Sequence, residues 1–277
     1  MSVEVSNVEP KEVWKNFVLL NEVPRPSKKE DRVIEFLISF ATKNKLMYKQ
    51  DEVGNLVIVK ESTPDMITRE TVVLQSHVDM VHEKNNDVEF DFLNSGIKMY
   101  VDGDWVKADG TTLGADNGLG VAAIMAILES NEISHPKIEA LFTIDEETGM
   151  TGALNLSDTI LTGKILLNLD TEDDDEICVG CAGGIDITMS KNYPLQELKE
   201  DEINVKILLN GLTGGHSGAE IHKGLGNSNK ILFELIQKLN SDFDVKICSI
   251  DGGGLRNAIP RESSTIISFD EDNLNSF

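Results

Sequence analysis

The sequence predicts an α/β protein, a sandwich with a mostly parallel sheet, followed by a smaller α+β unit. In the first part of the 277-residue chain, strand-like segments alternate with helix-like ones, an order typical of parallel sheets covered by helices. The strand-like segments are apolar throughout their middle, as strands buried on both faces are. After Gly183-Gly184 the order changes to β-β-α-β-β. We therefore expect two domains, residues 1–182 and 183–277.

Two helices are expected to open the first domain. Apolar residues recur at helical spacing over 14–20 and 29–43, on either side of the break Pro24-Arg25-Pro26. Ser27 is the predicted N-cap of the second helix. The remaining elements predicted in this domain are strands at 56–59, 71–75, 138–144 and 164–169, a hairpin at 99–108 and a helix at 117–130. Those predicted in the second domain are strands at 186–190, 204–210, 245–249 and 264–268 and a helix at 228–239.

The composition limits the partners and the location of the chain. The 25 basic and 48 acidic side chains give a net charge of −23, which disfavours nucleic acid and anionic membrane surfaces as partners. No apolar run reaches the roughly 18 residues of a membrane span, and the N-terminus lacks the blocks of a signal peptide. Three cysteines are too few for a disulfide framework, so a cytoplasmic location is expected. Cys178 and Cys181 have the spacing of a redox or zinc half-site without a second pair.

Acidic and imidazole side chains stand where the predicted strands end. These residues are His77, Asp79, Asp116, Glu146, Glu147 and Asp170. Taken singly, each has an ordinary explanation, such as an N-cap role for Asp116 or a buried structural role for His77. Together they indicate one cleft, because ligands of α/β folds bind at the carboxyl ends of the strands.

Such a cluster suits divalent cations. Packed carboxylates repel one another unless cations neutralise them, and oxygen ligands with one imidazole fit Zn²⁺, Mn²⁺ or Co²⁺. Co-catalytic hydrolases hold two such ions with a bridging carboxylate, and a further carboxylate can act as general base. Glu146 and Glu147 suit that division, since neighbouring residues in extended chain point in opposite directions.

Six motifs, in a fixed order, resemble one known family. They are SHVDMVHEK (76–84), GTTLGADNGLGVA (110–122), LFTIDEETGMTGA (141–153), NLDTED (168–173), GGHSGAEIH (214–222) and LRNAIP (255–260). In these motifs the chain resembles the aminoacyl-histidine dipeptidases, also called Xaa-His or cytosol non-specific dipeptidases. That family belongs to the co-catalytic zinc metallopeptidases, together with carboxypeptidases and aminoacylases. The resemblance implies a zinc-peptidase-like catalytic α/β sandwich followed by part of an α+β lid domain.

The resemblance also implies roles for the acidic cluster. His77 and Asp170 would bind the first of two divalent ions, Zn²⁺ or else Mn²⁺ or Co²⁺. Asp116 would bridge the two ions and be followed by a cis peptide bond, and Glu147 would bind the second ion. Glu146 would be the general base. Asp79 would orient His77 from behind.

Further roles fall on the lid domain. His216 would stabilise the oxyanion, and Arg256 and Asn257 would contact the substrate. From its local sequence alone, His216 is a turn histidine in a glycine-rich loop. The lid-bearing relatives also lead us to expect a homodimer.

The predicted activity is metal-dependent hydrolysis of dipeptides, of the Xaa-His type. Members of the family are longer and supply a last metal-ligating histidine near their C-terminus, so we expect a C-terminally truncated chain whose second metal lacks one ligand. Two alternatives stay open. One is a related deacylase or carboxypeptidase acting on N-acyl amino acids. The other is a catalytically incomplete fragment that acts as a binding or assembly module.

Overall fold

The computed structural model describes residues 4–171, 177, 179–180, 185, 187–274 and 276. The chain divides into two compact units, Met1–Ala182 and Gly183–Phe277. The predicted α/β fold class is confirmed. Of the three cysteines, Cys178 and Cys181 lie outside the described residues, whereas Cys248 is a free, exposed thiol. Within the described part of the chain, no helix has the length and apolar character needed to cross a membrane.

The first unit contains a five-stranded mixed sheet with the strand order β1-β2-β6-β3-β7 and a separate hairpin, β4-β5. Its elements are α1 (Lys11–Asn21), α2 (Asp31–Lys43), β1 (Met47–Gln50), β2 (Leu56–Lys60), β3 (Val72–His77), β4 (Met99–Asp102), β5 (Trp105–Ala108), α3 (Ala115–Glu129), β6 (Ile138–Thr143), α4 (Glu146–Gly149), α5 (Thr151–Leu154) and β7 (Ile165–Asn168). Strand β3 runs parallel to both β6 and β7.

The expectation of a mostly parallel sheet is corrected at one side. Strands β1 and β2 pair antiparallel, and β2 pairs antiparallel with β6. Only a tight turn separates β1 from β2, and such a short connection cannot join parallel strands. The Asp51 carboxylate closes that turn by accepting hydrogen bonds from the backbone of Val53, Gly54 and Asn55. Strand β1 itself was not predicted, because its four residues are largely exposed and lack an apolar pattern.

The central strand β6 explains how the sheet is held. All six of its residues are buried, as the apolar run predicted. Phe142 packs in the larger core with Leu37 of α2 and Ile124 of α3. Leu141 points to the other face and packs with Ile160. Because both faces of β6 are covered, the end of this strand has a fixed position. The residues that follow it directly are therefore also well positioned.

The second unit is a three-stranded antiparallel sheet with the strand order β8-β10-β9 and one long helix. Its elements are β8 (Glu202–Leu209), a 3₁₀ turn (Ile221–Lys223), α6 (Ser228–Phe243), β9 (Lys246–Gly252) and β10 (Ser263–Asp270). Helix α6 buries Leu232 and Ile236, which are one turn apart. The strand predicted at 186–190 is wrong for the described residues 187–190, which form none. Their alternating apolar side chains are largely exposed, with Met189 at 91%, and they pair with no strand among the described residues.

Candidate metal centre

The three parallel strands β6, β3 and β7 have their carboxyl ends side by side at one end of the first sheet. His77, the last residue of β3, stands opposite Thr143, the last residue of β6. On the other side of β3, Gln75 stands opposite Asn168, the last residue of β7. The segments that continue from these three ends therefore emerge side by side.

The imidazole of His77 lies at the centre of the acidic residues. It is fully buried. Its Nε2 lies 3.0 Å from Oδ1 of Asp116, 3.8 Å from Oδ2 of Asp170 and 4.0 Å from Oε2 of Glu146. One nitrogen thus faces carboxylates from three separate segments of the chain.

Asp79 holds the other side of the same imidazole. Nδ1 of His77 lies 3.2 Å from Oδ1 of Asp79 and 3.1 Å from the Asp79 carbonyl oxygen. Because both of these neighbours are acceptors, Nδ1 carries a hydrogen. In the neutral ring the lone pair is therefore on Nε2, which points toward the carboxylates. This is the tautomer that a metal-ligating histidine needs.

The Asp79 carboxylate also fixes the start of α4. Its two oxygens accept hydrogen bonds from the backbone N–H groups of Glu146, at 3.0 Å, and Glu147, at 3.2 Å. A negative charge at the first turn of a helix is favourable, because it satisfies N–H groups that have no partner within the helix.

The expectation that Glu146 and Glu147 lie in extended chain is wrong. They form the first turn of α4, so their side chains diverge by about 100° rather than by 180°. Each offers one carboxylate oxygen to a group with His77 in which the oxygens and the ring nitrogen all lie within 4.8 Å of one another. The two carboxylates are therefore near the same ring, and alternation along a strand does not distinguish their roles.

Asp116 lies in an irregular turn at the beginning of α3. Its backbone and that of Asn117 are not helical, and the peptide bond between them is cis, as the resemblance implies. No side chain caps this helix. Asn117 is held from the sheet, because its Oδ1 accepts a 2.6 Å hydrogen bond from the Ser76 hydroxyl.

The electrostatics of the cluster show an excess of acidic groups over basic ones. Burial opposes the charged imidazole, but hydrogen bonds to Asp116 and Asp79 outweigh it and raise the pKa of His77 to about 10. Burial, reinforced by the charge of Asp116, raises the pKa of Glu147 to about 7. Burial also raises the pKa of Glu146 and that of Asp170. In the absence of a cation, protons compensate the crowded acids.

The donor set fits divalent cations. One group that could hold an ion is His77 with Asp116 and Asp170, and another is His77 with Glu146 and Glu147. An imidazole nitrogen with several carboxylate oxygens is a ligand chemistry that Zn²⁺ and Mn²⁺ accept. Asp116 and Asp170 are also exposed, so an ion can reach them.

A third acidic group lies deeper and has a different character. Glu30, Asp79 and Asp145 are all buried and close together. Donors of the protein already occupy their oxygens. Glu30 accepts from the Asp145 backbone N–H at 3.1 Å, and Asp145 accepts from the hydroxyl groups of Thr148 and Thr151. This group supports the loops around the site.

Ser27 is the clearest difference between prediction and structure near the site. The sequence predicts it as the N-cap of α2, but that position is taken by Glu30, without a side-chain hydrogen bond. The Ser27 hydroxyl instead donates to Oδ2 of Asp79 at 2.8 Å. A serine that caps a helix and a serine that donates to a distant buried carboxylate can occur in the same local sequence. Only the tertiary structure shows which of the two roles Ser27 has.

The predicted residues of the second unit are brought together by a short β-bridge. His216 pairs with Ala258, and the Ser217 backbone N–H donates to the carbonyl of Asn257 at 2.8 Å. The Ser217 hydroxyl donates to the carbonyl of Arg256 at 3.0 Å. The motifs GGHSG and LRNAIP thus lie side by side. Within this unit, an open cavity of about 590 Å³ is lined by residues that include Ser217, Lys230 and Arg256.

Hydrogen bonds within its own turn fix the tautomer of the neutral His216 ring. Its Nδ1 accepts hydrogen bonds from the backbone N–H groups of Gly218 and Ala219, both at 3.0 Å. In the neutral ring the hydrogen is therefore on Nε2. The side chain is exposed, so this N–H group is available as a donor.

Comparison with known proteins agrees with this architecture. Residues 207–276 match the family described as the peptidase dimerisation domain. The chain is 42% identical to the cytosol non-specific dipeptidase of Escherichia coli (strain K12), over 98% of this chain and 56% of that protein. The crystal structure of aminoacylhistidine dipeptidase from Vibrio alginolyticus matches with a TM-score of 0.64 and 41% identity, over 98% of this chain and 56% of that one.

The fold and the site define an α/β unit with a candidate metal centre, followed by a smaller α+β unit in which residues 207–276 match the peptidase dimerisation domain. The resemblance to the aminoacyl-histidine dipeptidases is confirmed, and the chain is related to them over nearly its whole length. It spans about half the length of these relatives, 56% in each case. A tripeptidase from Staphylococcus aureus subsp. aureus mu50, with a TM-score of 0.51 and 20% identity over 97% of this chain and 69% of that one, shows the same fold.

Proposed function

We propose that this chain belongs to a metal-dependent dipeptidase that hydrolyses short peptides with a free N-terminus, of the Xaa-His type. The observation that carries the proposal is the environment of Nε2 of His77, which faces Asp116, Asp170 and Glu146 within 4.0 Å. The two relatives that are more than 40% identical to this chain are both dipeptidases, which supports the substrate class.

We assign two divalent ions to the acidic cluster, with Zn²⁺ proposed first and Mn²⁺ or Co²⁺ as alternatives. His77 and Asp170 would hold one ion and Glu147 the other, with Asp116 between them. Ions bound there supply Lewis-acid polarisation of the scissile carbonyl and lower the pKa of water. The proposed function of the first unit, residues 1–182, is therefore metal binding and catalysis.

Glu146 is the proposed general base and acid. Burial raises its pKa, which brings a carboxylate nearer to the range where it can both accept and return a proton at neutral pH. Its side chain is 33% exposed, so water and substrate can reach it. Asp79 has both oxygens in use and serves to orient His77.

The proposed lid unit, residues 183–277, supplies donors to the substrate. His216 has a hydrogen on Nε2 and would donate to the developing oxyanion. Arg256 and Asn257 would contact the substrate's backbone or its terminal carboxylate, for which a guanidinium is the natural partner. The dimerisation-domain match supports a homodimer, and the name of the Escherichia coli relative supports a cytosolic location.

Metal stoichiometry of the purified 277-residue chain tests the proposal first. The chain is exposed to Zn²⁺ or Mn²⁺, desalted and measured by elemental mass spectrometry, with the Asp116→Asn variant alongside. We expect at least one ion per chain, because the second ion is expected to lack one ligand, with fewer ions in the variant. A chain that binds no ion contradicts the proposal.

A substrate panel then separates the alternatives. We expect Xaa-His dipeptides to be cleaved in preference to N-acetyl amino acids. The opposite preference indicates a deacylase or carboxypeptidase. A chain that binds one ion or none, hydrolyses nothing and yet associates stably indicates an assembly module.

A further inference from the structure

Arg25 is a buried cation that the proposed mechanism does not use. It lies between α1 and α2 and is 1% exposed. Nη1 donates to the carbonyl oxygens of Val78 and Asp79, at 3.2 and 3.3 Å. Nη2 donates to the carbonyl oxygen of Gly114, at 2.6 Å, and to Oδ1 of Asn21, at 2.9 Å. A single guanidinium thus joins the loop after β3 to the loop before α3.

These two loops carry proposed metal ligands. Val78 directly follows His77, and Gly114 stands two residues before Asp116. Nε2 of His77 and Oδ1 of Asp116 are 3.0 Å apart. The guanidinium therefore connects the backbone on one side of this pair to the backbone on the other.

The backbone around Arg25 also pairs with the loop that follows β3. The Met80 N–H donates to the carbonyl of Arg25 at 3.1 Å, and Pro26 and Met80 form a parallel β-bridge. Arg25 is consequently held at its main chain while its side chain reaches across to Gly114. A fixed main chain lets the planar guanidinium act as a spacer of defined length.

Two glycines form the slot that the guanidinium fills. A Cβ atom added to Gly114 would lie 2.5 Å from Nη2 of Arg25, and one added to Gly118 would lie 2.6 Å from the same atom. Real Cβ contacts are not that short, so each position excludes every larger residue unless Arg25 moves, together with Met80 for position 114 and Phe17 for position 118, each of which the added atom would approach to 2.8 Å. These glycines flank Asp116 in the sequence. The position of the Arg25 guanidinium therefore depends on the conformation of the turn that carries the Asp116 carboxylate.

The charge of Arg25 persists in this setting. Burial lowers its pKa to about 10, although the negative charges of Asp79, Asp116 and Glu147 act in the opposite direction. At neutral pH the group is a cation. Its hydrogen bonds go to three carbonyl oxygens and an amide oxygen, so it is not simply the partner of one acid.

We propose that Arg25 is a positioning residue, whose guanidinium sets the separation between the His77 loop and the Asp116 loop and thereby the geometry of the first metal site. This inference rests on the proposed function of the same residues. The sequence alone predicts the segment Pro24-Arg25-Pro26 only as a break between two helices. The inference gives this segment a role in the site.

The test compares Arg25→Gln, Arg25→Lys and Gly118→Ala with the original 277-residue chain. Gln removes the charge and the fork of donors, whereas Lys keeps the charge without the fork. Gly118→Ala keeps the arginine and places a methyl group 2.6 Å from its Nη2, and also 2.8 Å from Cε2 of Phe17. Arg32→Gln is the matched control, because exposed Arg32 also donates to a carbonyl oxygen, that of Leu93.

Two readouts are measured for each variant. The first is Co²⁺ binding, as the affinity and the visible absorption spectrum of the bound ion. For Arg25→Gln we expect an affinity for Co²⁺ at least tenfold weaker than that of the original chain, and an altered spectrum. Arg25→Lys should have an affinity between those of Arg25→Gln and the original chain, and Gly118→Ala should also bind Co²⁺ more weakly. Arg32→Gln should match the original chain in both affinity and spectrum. The second is amide hydrogen exchange of the metal-free chain. We expect faster exchange confined to residues 78–82 and 112–119.

The outcomes separate this inference from the proposed function. Unchanged Co²⁺ affinity and spectrum in Arg25→Gln overturn the positioning role while metal binding by the original chain stands. Full recovery by Arg25→Lys also overturns it, because charge without geometry is then sufficient. If the original chain binds no Co²⁺, the proposed function fails, but hydrogen exchange of the Arg25→Gln variant still tests the positioning role. Faster exchange confined to the two loops supports that role. Unchanged exchange, or exchange that is faster throughout the chain, contradicts it. Should Arg25→Gln not fold, the Lys and Gly118→Ala variants supply both readouts.

Discussion

Asp79 and His77 form a fully buried pair in which Oδ1 of the carboxylate lies 3.2 Å from Nδ1 of the ring. The same carboxylate accepts the backbone N–H groups of Glu146 and Glu147. One side chain therefore orients the imidazole and also anchors the turn that carries the proposed general base. A change at Asp79 acts on both at once.

We predict that Asp79→Asn weakens Zn²⁺ binding by about 10- to 100-fold, as loss of a partner behind a ligating histidine does. It should also lower the free energy of unfolding by about 1–3 kcal/mol, because hydrogen bonds to a buried charged acceptor are lost. Chelator competition and urea unfolding measure the two effects. Asp91→Asn is the matched control, since exposed Asp91 also accepts a backbone N–H, that of Leu93. Equal Zn²⁺ affinity of Asp79→Asn and the original chain contradicts the prediction.

We predict that metal affinity rises with pH near neutrality. In the metal-free chain, His77 is protonated below a pKa of about 10 and Glu147 below a pKa of about 7. Both groups must lose their protons to act as ligands, so affinity should rise roughly a hundredfold per pH unit near pH 6 and roughly tenfold per unit near pH 8.

Calorimetry in buffers with different ionisation enthalpies measures the protons released on binding. We expect release between pH 6 and 8, with fewer protons at the higher value. An affinity that does not change over this range would falsify the assignment of His77 and Glu147 as ligands.

We predict that His216→Ala lowers the kcat for dipeptide hydrolysis by about 10²- to 10³-fold, the usual effect of removing one oxyanion donor. Metal stoichiometry should not change, because His216 is not among the proposed ligands. Steady-state kinetics and elemental analysis of the same samples provide the measurement. His222→Ala removes a neighbouring histidine with no proposed role and should behave as the original chain does. A loss of metal in His216→Ala is the contrary result.

We predict a pH-dependent loss of stability for Glu139→Gln. Glu139 is buried in the central strand β6 and accepts hydrogen bonds from the Thr162 hydroxyl and the backbone of Thr162 and Gly163, at 2.6 to 2.9 Å. Burial favours the neutral form, but these hydrogen bonds outweigh it and hold the pKa of Glu139 below its ordinary value of 4.5. At neutral pH the substitution should cost about 1–3 kcal/mol.

The sign of the pH effect follows from that lowered pKa. A carboxyl group whose pKa is lower in the folded state stabilises the fold above its unfolded pKa and loses this contribution as pH falls through the folded value. The difference between Glu139→Gln and the original chain should therefore shrink below about pH 4.5. Urea unfolding at several pH values measures it, with exposed Glu132→Gln as the control. A difference that stays constant down to pH 3 is inconsistent with the prediction.

The sequence predicts the architecture best where patterns are local and buried. The continuous apolar run of β6 and the helical spacing of α2 and α3 correspond to elements whose packing decides their structure. Strand β1 escapes prediction because its exposed side chains form no pattern. The strand predicted at 186–190 fails, over its described residues 187–190, for the opposite reason: a suitable pattern pairs with no strand among the residues that the structure describes.

The site shows the same division. Acidic residues at the ends of β3, β6 and β7 are visible in the sequence, and parallel pairing explains why they meet; their individual roles stay predictions. Ser27 and Arg25 act over long distances in the sequence, to Asp79 and Gly114. Neither contact leaves a local signal, because a serine before a helix and an arginine between prolines look like ordinary loop residues.

Strand β7 occupies one edge of the five-stranded sheet, and its apolar side chains are open to solvent, with Leu166 and Leu167 about half exposed. An exposed apolar edge strand can pair with a strand from another molecule, which is a common beginning of aggregation, and the length of only 4 residues limits such pairing here. The net charge of −23 makes separate copies repel one another, and this repulsion is strongest at low ionic strength. Because the screening length falls from about 10 Å at 0.1 M salt to about 3 Å at 1 M, solubility of this chain should decrease as salt is added. The edge strand thus makes ionic strength a determinant of how long the protein remains monodisperse.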